Sequence, residues 1–360
     1  MKIGLILGTR PEIIKLAPVI QELCARQQDH CVIHTNQHYD PELDGRFFDE
    51  LELEPPGIEL NIGSGAHGLQ TGRMLEAVEQ AIVDCGITHV IVQGDTNSGL
   101  AGALAAAKLS RSVAHVEAGL RSYDARMPEE INRRLIDHVS HDLFPPTATA
   151  RDVLHGESVA GLVHEPVGNT VVDAVLRYAP RLAVPLDERD GRILLTLHRP
   201  ENVDCEETLR AILGAVGEVA CDHGLGVSFP AHPRTRERLE QFGIALPRPI
   251  EVEPPQTFRG ILEQEATARL VITDSGGLQE EACVLRTPCV VVRSHTDRPE
   301  AVAAGSAILA GTDRSGIVTA ASAILSVRRT DWPQPFGDGT AGQQIVDRLT
   351  SAEPVAMVGA

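Results

Sequence analysis

The stretch Ile272-Thr273-Asp274-Ser275-Gly276-Gly277-Leu278-Gln279-Glu280-Glu281-Ala282 reads as one strand-turn-helix unit. An apolar run with the pattern of a buried strand ends in Asp-Ser-Gly-Gly, and the carboxylates beyond it fall in the first turns of a helix. Small residues at such a turn let backbone N–H groups approach a ligand closely, and a helix N-terminus favours negative charge. A second unit of this design opens the chain: Ile3-Gly4-Leu5-Ile6-Leu7, then Gly8-Thr9-Arg10-Pro11-Glu12, with Lys15 one turn on. Two such anion-receiving turns, far apart in sequence, point to two α/β domains that share one phosphorylated ligand.

Between and beyond them the alternation continues. Strand-like runs lie at 3–7, 31–35, 89–93, 112–116, 142–144, 193–197, 226–229, 270–273 and 288–292, and amphipathic helices at 11–27, 70–85, 97–109, 128–140, 206–223 and 276–286. This is a βαβ alternation, which implies doubly wound parallel sheets covered on both faces. The Pro- and charge-rich stretch 179–191 interrupts it and reads as a linker, separating a first domain at 1–175 from a second at 190–338. Ligands of open α/β sheets bind outside the carboxyl ends of the strands, so the residues just after each run carry the functional reading.

Bulk properties exclude several classes. At 360 residues the chain is too long for one comfortable core. One Trp, three Tyr and a net charge of -18 argue against binding nucleic acid, a polyanion that prefers basic surfaces and aromatic stacking. Lysine occurs only at Lys2, Lys15 and Lys108; GC-rich coding and salt adaptation of an acidic surface are both readings of that bias. Seven cysteines without a CxxC pair read as reduced thiols, and no apolar run approaches the roughly 20 residues that span a bilayer. The expectation is a cytoplasmic protein that does not enter membranes.

The strand ends are rich in chemistry. Run 89–93 ends in Gln93-Gly94-Asp95-Thr96-Asn97, and 112–116 in His115-Val116-Glu117-Ala118-Gly119-Leu120-Arg121. A loop then supplies Met127-Pro128-Glu129-Glu130. Later runs end in His198-Arg199-Pro200, in His232-Pro233-Arg234 and before Arg298-Pro299-Glu300. The first half thus offers carboxylates suited to proton transfer, the second cations and histidines suited to a diphosphate. Asp95 read alone is equally a helix cap, and Glu117 a paired structural acid. Two other patterns are discounted. Gly63-Ser64-Gly65-Ala66-His67-Gly68 matches a dinucleotide fingerprint, but Pro56–Leu60 before it is too short and polar for a buried parallel strand, which argues against NAD. Asp137, His138, His141 and Asp142 mimic a metal face without a further ligand cluster, and read better as a helix start packed between domains.

Taken in order, Gly8–Glu12, Gln93–Thr96, His115–Arg121, Met127–Glu130, His198-Arg199, Asp274–Gly277, Gln279–Glu281 and Arg298–Glu300 resemble the non-hydrolysing UDP-N-acetylglucosamine 2-epimerase family, in register from residue 1 to about residue 312. The resemblance implies a glycosyltransferase-B-like architecture: two Rossmann-like doubly wound domains facing a cleft that holds the site, a last helix within 339–352 returning to the first domain, and a homodimer. It implies interconversion of UDP-GlcNAc and UDP-ManNAc, a step of cell-surface polysaccharide biosynthesis, by elimination of UDP to a glycal and re-addition. The C2–H has no adjacent carbonyl to acidify it, so loss of the diphosphate must drive the chemistry. Residue by residue it implies Asp95, Glu117 and Glu129 as acid/base groups, without assigning a face to each. Arg10, Lys15, His198 and the Ser275-Gly276-Gly277 helix start neutralise the diphosphate, His198 counting with the catalytic set. Gln256 lies near the uracil, Glu281 on the ribose hydroxyls and Arg298 at the cleft. No hydride moves and no electron sink is needed, so neither a cofactor nor a metal is called for.

Two departures bear on substrate. Phe258 and then Ile261 stand where many relatives place a Phe after the Gln. Gln37-His38-Tyr39-Asp40 and Phe47–Leu51 resemble a branch with archaeal members and epimerases of modified sugars, leaving a UDP-2,3-diacetamido-2,3-dideoxy-glucuronate 2-epimerase, and activation by substrate, as open alternatives. Further rivals are a nucleotide-sugar glycosyltransferase, which needs an acceptor pocket and one base rather than three acids, and a UDP-sugar binding protein, which gains nothing from buried carboxylates beside a diphosphate.

Overall fold

The computed structural model describes residues 1–37, 41–327 and 329–351. His38, Tyr39 and Asp40, part of the substrate-branch reading, lie outside the described residues. The first sheet has seven strands: β1 (Ile3–Leu7), β2 (His30–His34), β3 (Ile58–Glu59), β4 (His89–Gln93), β5 (Ser112–Val116), β6 (Asp142–Phe144) and β7 (Leu162–Val163). The second has six: β8 (Arg192–Thr196), β9 (Gly226–Pro230), β10 (Ile250–Glu253), β11 (Leu270–Thr273), β12 (Cys289–Val291) and β13 (Ala307–Leu309). Their orders are β3-β2-β1-β4-β5-β6-β7 and β10-β9-β8-β11-β12-β13, and neighbouring strands pair in parallel throughout. The expected doubly wound α/β architecture is therefore present twice.

Each sheet is covered by helices whose apolar stripe fits it. In the first, Ile6, Ile33, Val90 and Val92 are buried with Val78 and Ile82 of the helix His67–Asp84 and Leu100 and Ala103 of the helix Asn97–Lys108. In the second, Leu195, Phe229, Ile272 and Val290 are buried with Ile212 and Val216 of the helix Glu206–His223 and Ile317 of the helix Arg314–Val327. In both sheets the chain winds outward to one edge, returns, and winds toward the other. The reversals fall between β1 and β4 and between β8 and β11. At such a point adjacent crossovers leave in opposite directions and open a crevice at the strand ends.

The strands absent from the apolar runs are β3, β7, β10 and β13, which are the outer strands of the two sheets. Edge strands are short and meet water along one side, so they lack the continuous hydrophobic signature of interior parallel strands. Pro56–Leu60, too polar for a buried strand, contains β3, which joins the edge of β2 at Ile33–Ile58.

By compactness the chain divides into Met1–Ala174 with the described residues from Phe336 onward, and Val175–Pro335. Within the stretch 179–191, Arg189 fastens the chain to the second unit. Its guanidinium donates to the carbonyls of Val184, Ala268 and Arg286 and to the Thr287 hydroxyl at 2.8–3.0 Å.

In the first unit the helix Ala341–Ser351 lies along the helix Arg10–Ala25, with Gly342 against Pro18 and Asp347 paired to Arg26 at 2.7 Å. Asp173 accepts from the amides of Ala341 and Gly342, closing the helix start. The chain enters this helix past a contact of two glycines, Gly168 (φ +86) and Gly337 (φ +108), where a Cβ on Gly337 would lie 2.8 Å from the Gly168 Cα. Gly337→Ala combines this overlap with a positive φ and should cost about 2–3 kcal/mol of unfolding free energy in urea at pH 7. An unchanged midpoint would mean that the close approach does not anchor the returning segment.

Candidate active site

In the first unit the functional groups gather at the carboxyl ends of β1, β4 and β5. Glu117 follows β5 with a left-handed backbone (φ +70), a conformation that a non-glycine residue keeps only when its surroundings enforce it. Its side chain is 4% exposed. Lys15 Nζ donates to Oε1 at 2.7 Å and Oε2 at 2.8 Å, Asn169 Nδ2 donates to Oε1 at 3.1 Å, and Gln93 Nε2 donates to Oε2. One of the chain's three lysines is thus spent inside the protein on this carboxylate.

Asp95 stands in the turn after β4 with its side chain 27% exposed. The helix Pro128–Val139 holds it: Arg133 reaches Oδ2 with Nε at 2.8 Å and Nη2 at 2.6 Å, and Asn132 Nδ2 donates to the Asp95 carbonyl at 2.8 Å. The cap of the helix Asn97–Lys108 is Thr96, not Asp95. Glu129 is exposed in the first turn of the helix Pro128–Val139, whereas its neighbour Glu130 is buried and accepts from the Ser122 amide and hydroxyl at 2.8 and 3.0 Å.

Arg10 begins the helix Arg10–Ala25 and lies across the Phe47 ring at 5.6 Å. No side chain caps this helix start, which leaves amides available to an anion. The preceding Gly8 admits no side chain, since a Cβ there would stand 2.1 Å from Thr35 Oγ1 and 2.2 Å from Ser98 Oγ.

Asp137, read from sequence as part of a helix start packed between domains, is instead internal to the first unit. It pairs with His115 Nδ1 at 2.7 Å and Arg121 at 2.7 Å, while His115 Nε2 meets the Gly94 carbonyl at 2.8 Å. Burial raises its pKa, but the His115 and Arg121 charges and hydrogen bonds outweigh this and hold it below the ordinary aspartate value. His138 is exposed, His141 Nδ1 accepts from the Val113 amide, and Asp142 turns to His164. Among the described residues no three His, Cys, Asp or Glu side chains are grouped to hold a metal ion.

In the second unit the organiser is Asp274, fully buried at the end of β11. It accepts from the His198 and Arg199 amides at 3.0–3.2 Å and from Asn202 Nδ2 at 3.1 Å, and it pairs with His198 Nδ1 at 2.9 Å. Burial alone would raise its pKa, but these partners hold it below the ordinary value. The His198 ring, 44% exposed, is thereby fixed by one nitrogen with the other at the surface.

Ser275 caps the helix Gly276–Val284, its Oγ accepting from Leu278 N at 3.5 Å. The Glu281 carboxylate folds back toward the helix start, where a Cβ on Gly277 would be 3.5 Å from its Oε1. Beside Glu281 lies the wholly buried Glu265, pushed well above the carboxylate range by burial and by the Glu281 charge. Gln256 precedes the helix Phe258–Thr267, with Nε2 on the Pro254 carbonyl at 2.9 Å. Phe258 is buried edge-on against Tyr178, ring centroids 6.4 Å apart. Arg298 is buried, its Nε on Glu280 at 2.6 Å and Nη1 near Asp297 at 3.4 Å.

The sequence reading did not single out Asn169, Asp274, Glu12 or Glu265 as functional side chains. Gln93, Glu12 and Asp274 stood within quoted motifs, and the available signal was the strand-end position of Gln93 and Asp274 and the first-turn position of Glu12 in the helix after β1. Asn169 had none, because it meets Glu117 from 52 residues away.

A family model described as UDP-N-acetylglucosamine 2-epimerase matches residues 21–350. A UDP-N-acetylglucosamine 2-epimerase of Methanococcus maripaludis is 45% identical over 96% of this chain and 97% of its own length. A UDP-2,3-diacetamido-2,3-dideoxy-D-glucuronate 2-epimerase of Pseudomonas aeruginosa is 41% identical over 97% of this chain and 99% of its own. The crystal structure of Methanocaldococcus jannaschii UDP-GlcNAc 2-epimerase in complex with UDP-GlcNAc and UDP superposes with a TM-score of 0.91 at 44% identity, covering 98% of this chain and 100% of that one.

The Asp274 hub can be tested by itself. Asp274→Ala strips the acceptor from two amides, a carboxamide and His198, and should cost about 3–5 kcal/mol by urea unfolding at neutral pH. Because folding lowers this pKa, the stabilisation is complete above the ordinary value of 3.8 and fades as pH falls below it. Wild type and variant should therefore converge only in acid; a constant gap across that range would deny Asp274 its charge-dependent role.

Proposed function

The chain belongs to the UDP-N-acetylglucosamine 2-epimerase family, and we propose that it interconverts UDP-GlcNAc and UDP-ManNAc by eliminating UDP and adding it back to the glycal. It is an isomerase. The observation that carries the site assignment is the Glu117 carboxylate, held on a left-handed backbone by Lys15, Gln93 and Asn169. A group so constrained keeps a fixed position while charge moves around it, which is what removal and return of a C2 proton require. Asp95, clamped by Arg133 and partly open to solvent, and Glu129 at the exposed helix start are the other proton-moving groups.

Arg10 and its uncapped helix start, together with His198 and the Ser275–Gly277 turn, neutralise the departing diphosphate. Glu281 takes the ribose hydroxyls and Gln256 the uracil edge. The buried, ion-paired Arg298 acts by holding the residues behind Gly276, where its guanidinium carbon lies 3.8 Å from a Cβ position. The unmodified N-acetylglucosamine sugar is favoured over the diacetamido-uronate by 45% against 41% identity to relatives named for each.

No helix of the described residues is long and apolar enough to cross a membrane. A cytoplasmic enzyme fits the seven free cysteines. A homodimer fits Ile131 and Leu135, exposed one turn apart on the helix Pro128–Val139. Sedimentation should give twice the chain mass, and a monomer at micromolar concentration would remove the homodimer.

Proton NMR of UDP-GlcNAc with the enzyme in D₂O should show UDP-ManNAc carrying deuterium at C2. Asp95→Asn and Glu117→Gln should bind UDP normally yet lose about 10²–10⁴-fold in turnover. Arg10→Ala should weaken both. Retained UDP binding with an unchanged sugar would move the substrate to a modified UDP-sugar, and equal loss of UDP affinity in all three variants would undo the division of roles.

A further inference from the structure

Glu12 is a buried carboxyl that the reaction as derived does not use. Its Oε2 accepts from the Gly8 amide and the Thr9 hydroxyl, each at 2.9 Å, and its Oε1 accepts from the Thr96 hydroxyl at 2.6 Å. Thr9 precedes Arg10 and Thr96 follows Asp95, so one side chain joins the two turns. Thr96 Oγ1 also accepts from Gly99 N at 2.9 Å, capping the helix that leaves the Asp95 turn.

We propose that Glu12 is a positioning residue that bolts the Arg10 turn to the Asp95 turn, and that a proton on its Oε1 reverses the Thr96 hydroxyl and loosens that bolt. This rests on the reading that Arg10 and Asp95 serve the epimerisation.

The hydrogen-bond inventory selects the atom. Oε2 takes the Gly8 amide and the Thr9 hydroxyl and Oε1 takes the Thr96 hydroxyl, with the Thr9 amide also favouring the ionised carboxylate. A proton on Oε1 must be donated to Thr96 Oγ1, whose own hydrogen then loses its acceptor. Burial pushes this carboxyl up to about 7, against the opposing pull of hydrogen bonds from Thr96, Gly8 and Thr9. The charged groups around it are engaged elsewhere: Lys15 with Glu117, Asp95 with Arg133, and Arg10 over Phe47. The switch is thus internal to one carboxyl and one hydroxyl.

The test uses Glu12→Gln, which is neutral like the protonated carboxyl and close to it in shape, its amide offering two donor hydrogens where the acid offers one. In wild type kcat should rise as pH increases through about 7, with KM nearly constant. The variant should lack this rise, staying at the acid-side rate and falling about tenfold below wild type on the alkaline side. Its folding is checked by the pH dependence of stability. Between 4.5 and about 7 folded wild type holds a proton that the unfolded chain has released, so stability declines as pH rises, a slope the variant should lose.

A substrate-free reading separates this proposal from the assigned activity: ¹³C NMR of carboxyl-labelled aspartate. The Asp95 signal should carry an inflection near pH 7 in wild type and none in Glu12→Gln. If wild type does not epimerise UDP-GlcNAc, the activity is misassigned and this inflection alone decides. An Asp95 signal indifferent to Glu12, or a wild-type pH profile in the variant, overturns the positioning role.

Discussion

A carboxylate taken out of water at the end of a parallel sheet must be given donors, and the geometry of the first unit is organised around doing so for Glu117. Its three partners come from separate elements: Lys15 from the first helix, Gln93 from the end of β4 and Asn169 from the loop ahead of the helix Thr170–Tyr178. Loss of any one leaves charge or polarity buried without compensation, which in general costs about 3–5 kcal/mol for an ion pair. The same donors hold the backbone in a conformation that L-residues avoid. The carboxylate therefore serves as a fixed reference for the strand ends around it.

The second unit repeats the device with different residues. Asp274 also ends a central strand, is also withdrawn from solvent, and gathers the turn after the adjacent strand through amides, Asn202 and His198. In each unit the acid sits near the reversal of strand order, where diverging crossovers leave backbone amides uncovered. The acids draw neighbouring turns together, so that other groups on those turns, Asp95 and the outer nitrogen of His198, are presented in fixed directions. Positioning and chemistry are divided between different side chains.

Reading from sequence worked where one residue type had one physical use. Interior strands are buried on both faces and show as continuous apolar runs, so β1, β4, β5, β8, β9 and β11 were legible. The outer strands β3, β7, β10 and β13 were not, because half of their surroundings is water. Asp95 and Glu117 were visible as acids after strands, but their partners were not: nothing local pairs Arg133, in the helix Pro128–Val139, with Asp95, and Asn169 carried no local signal. The contacts of the stretch 179–191 were hidden for a related reason. Proline and charge mark an interruption of regular structure, yet nothing local tells that Arg189 will be buried among four acceptors. The acid at 129 and the acid at 130 are equivalent in one dimension, and only packing puts the second inside.

By itself the sequence determined the doubly wound class, the two small-residue turns between strand and helix and the family, since these depend on periodicity, small residues at turns and the order of short motifs, all local properties. Tertiary structure alone decided which carboxyls are buried and with whom: Glu117 with Lys15, Asp274 with His198, Glu12 with two threonines, Glu265 beside Glu281. The physical reason is that a carboxyl's charge state follows from desolvation and from the donors that reach it. Those donors are supplied by residues distant in the chain, whose meeting is a consequence of the fold and is written in no single stretch of it.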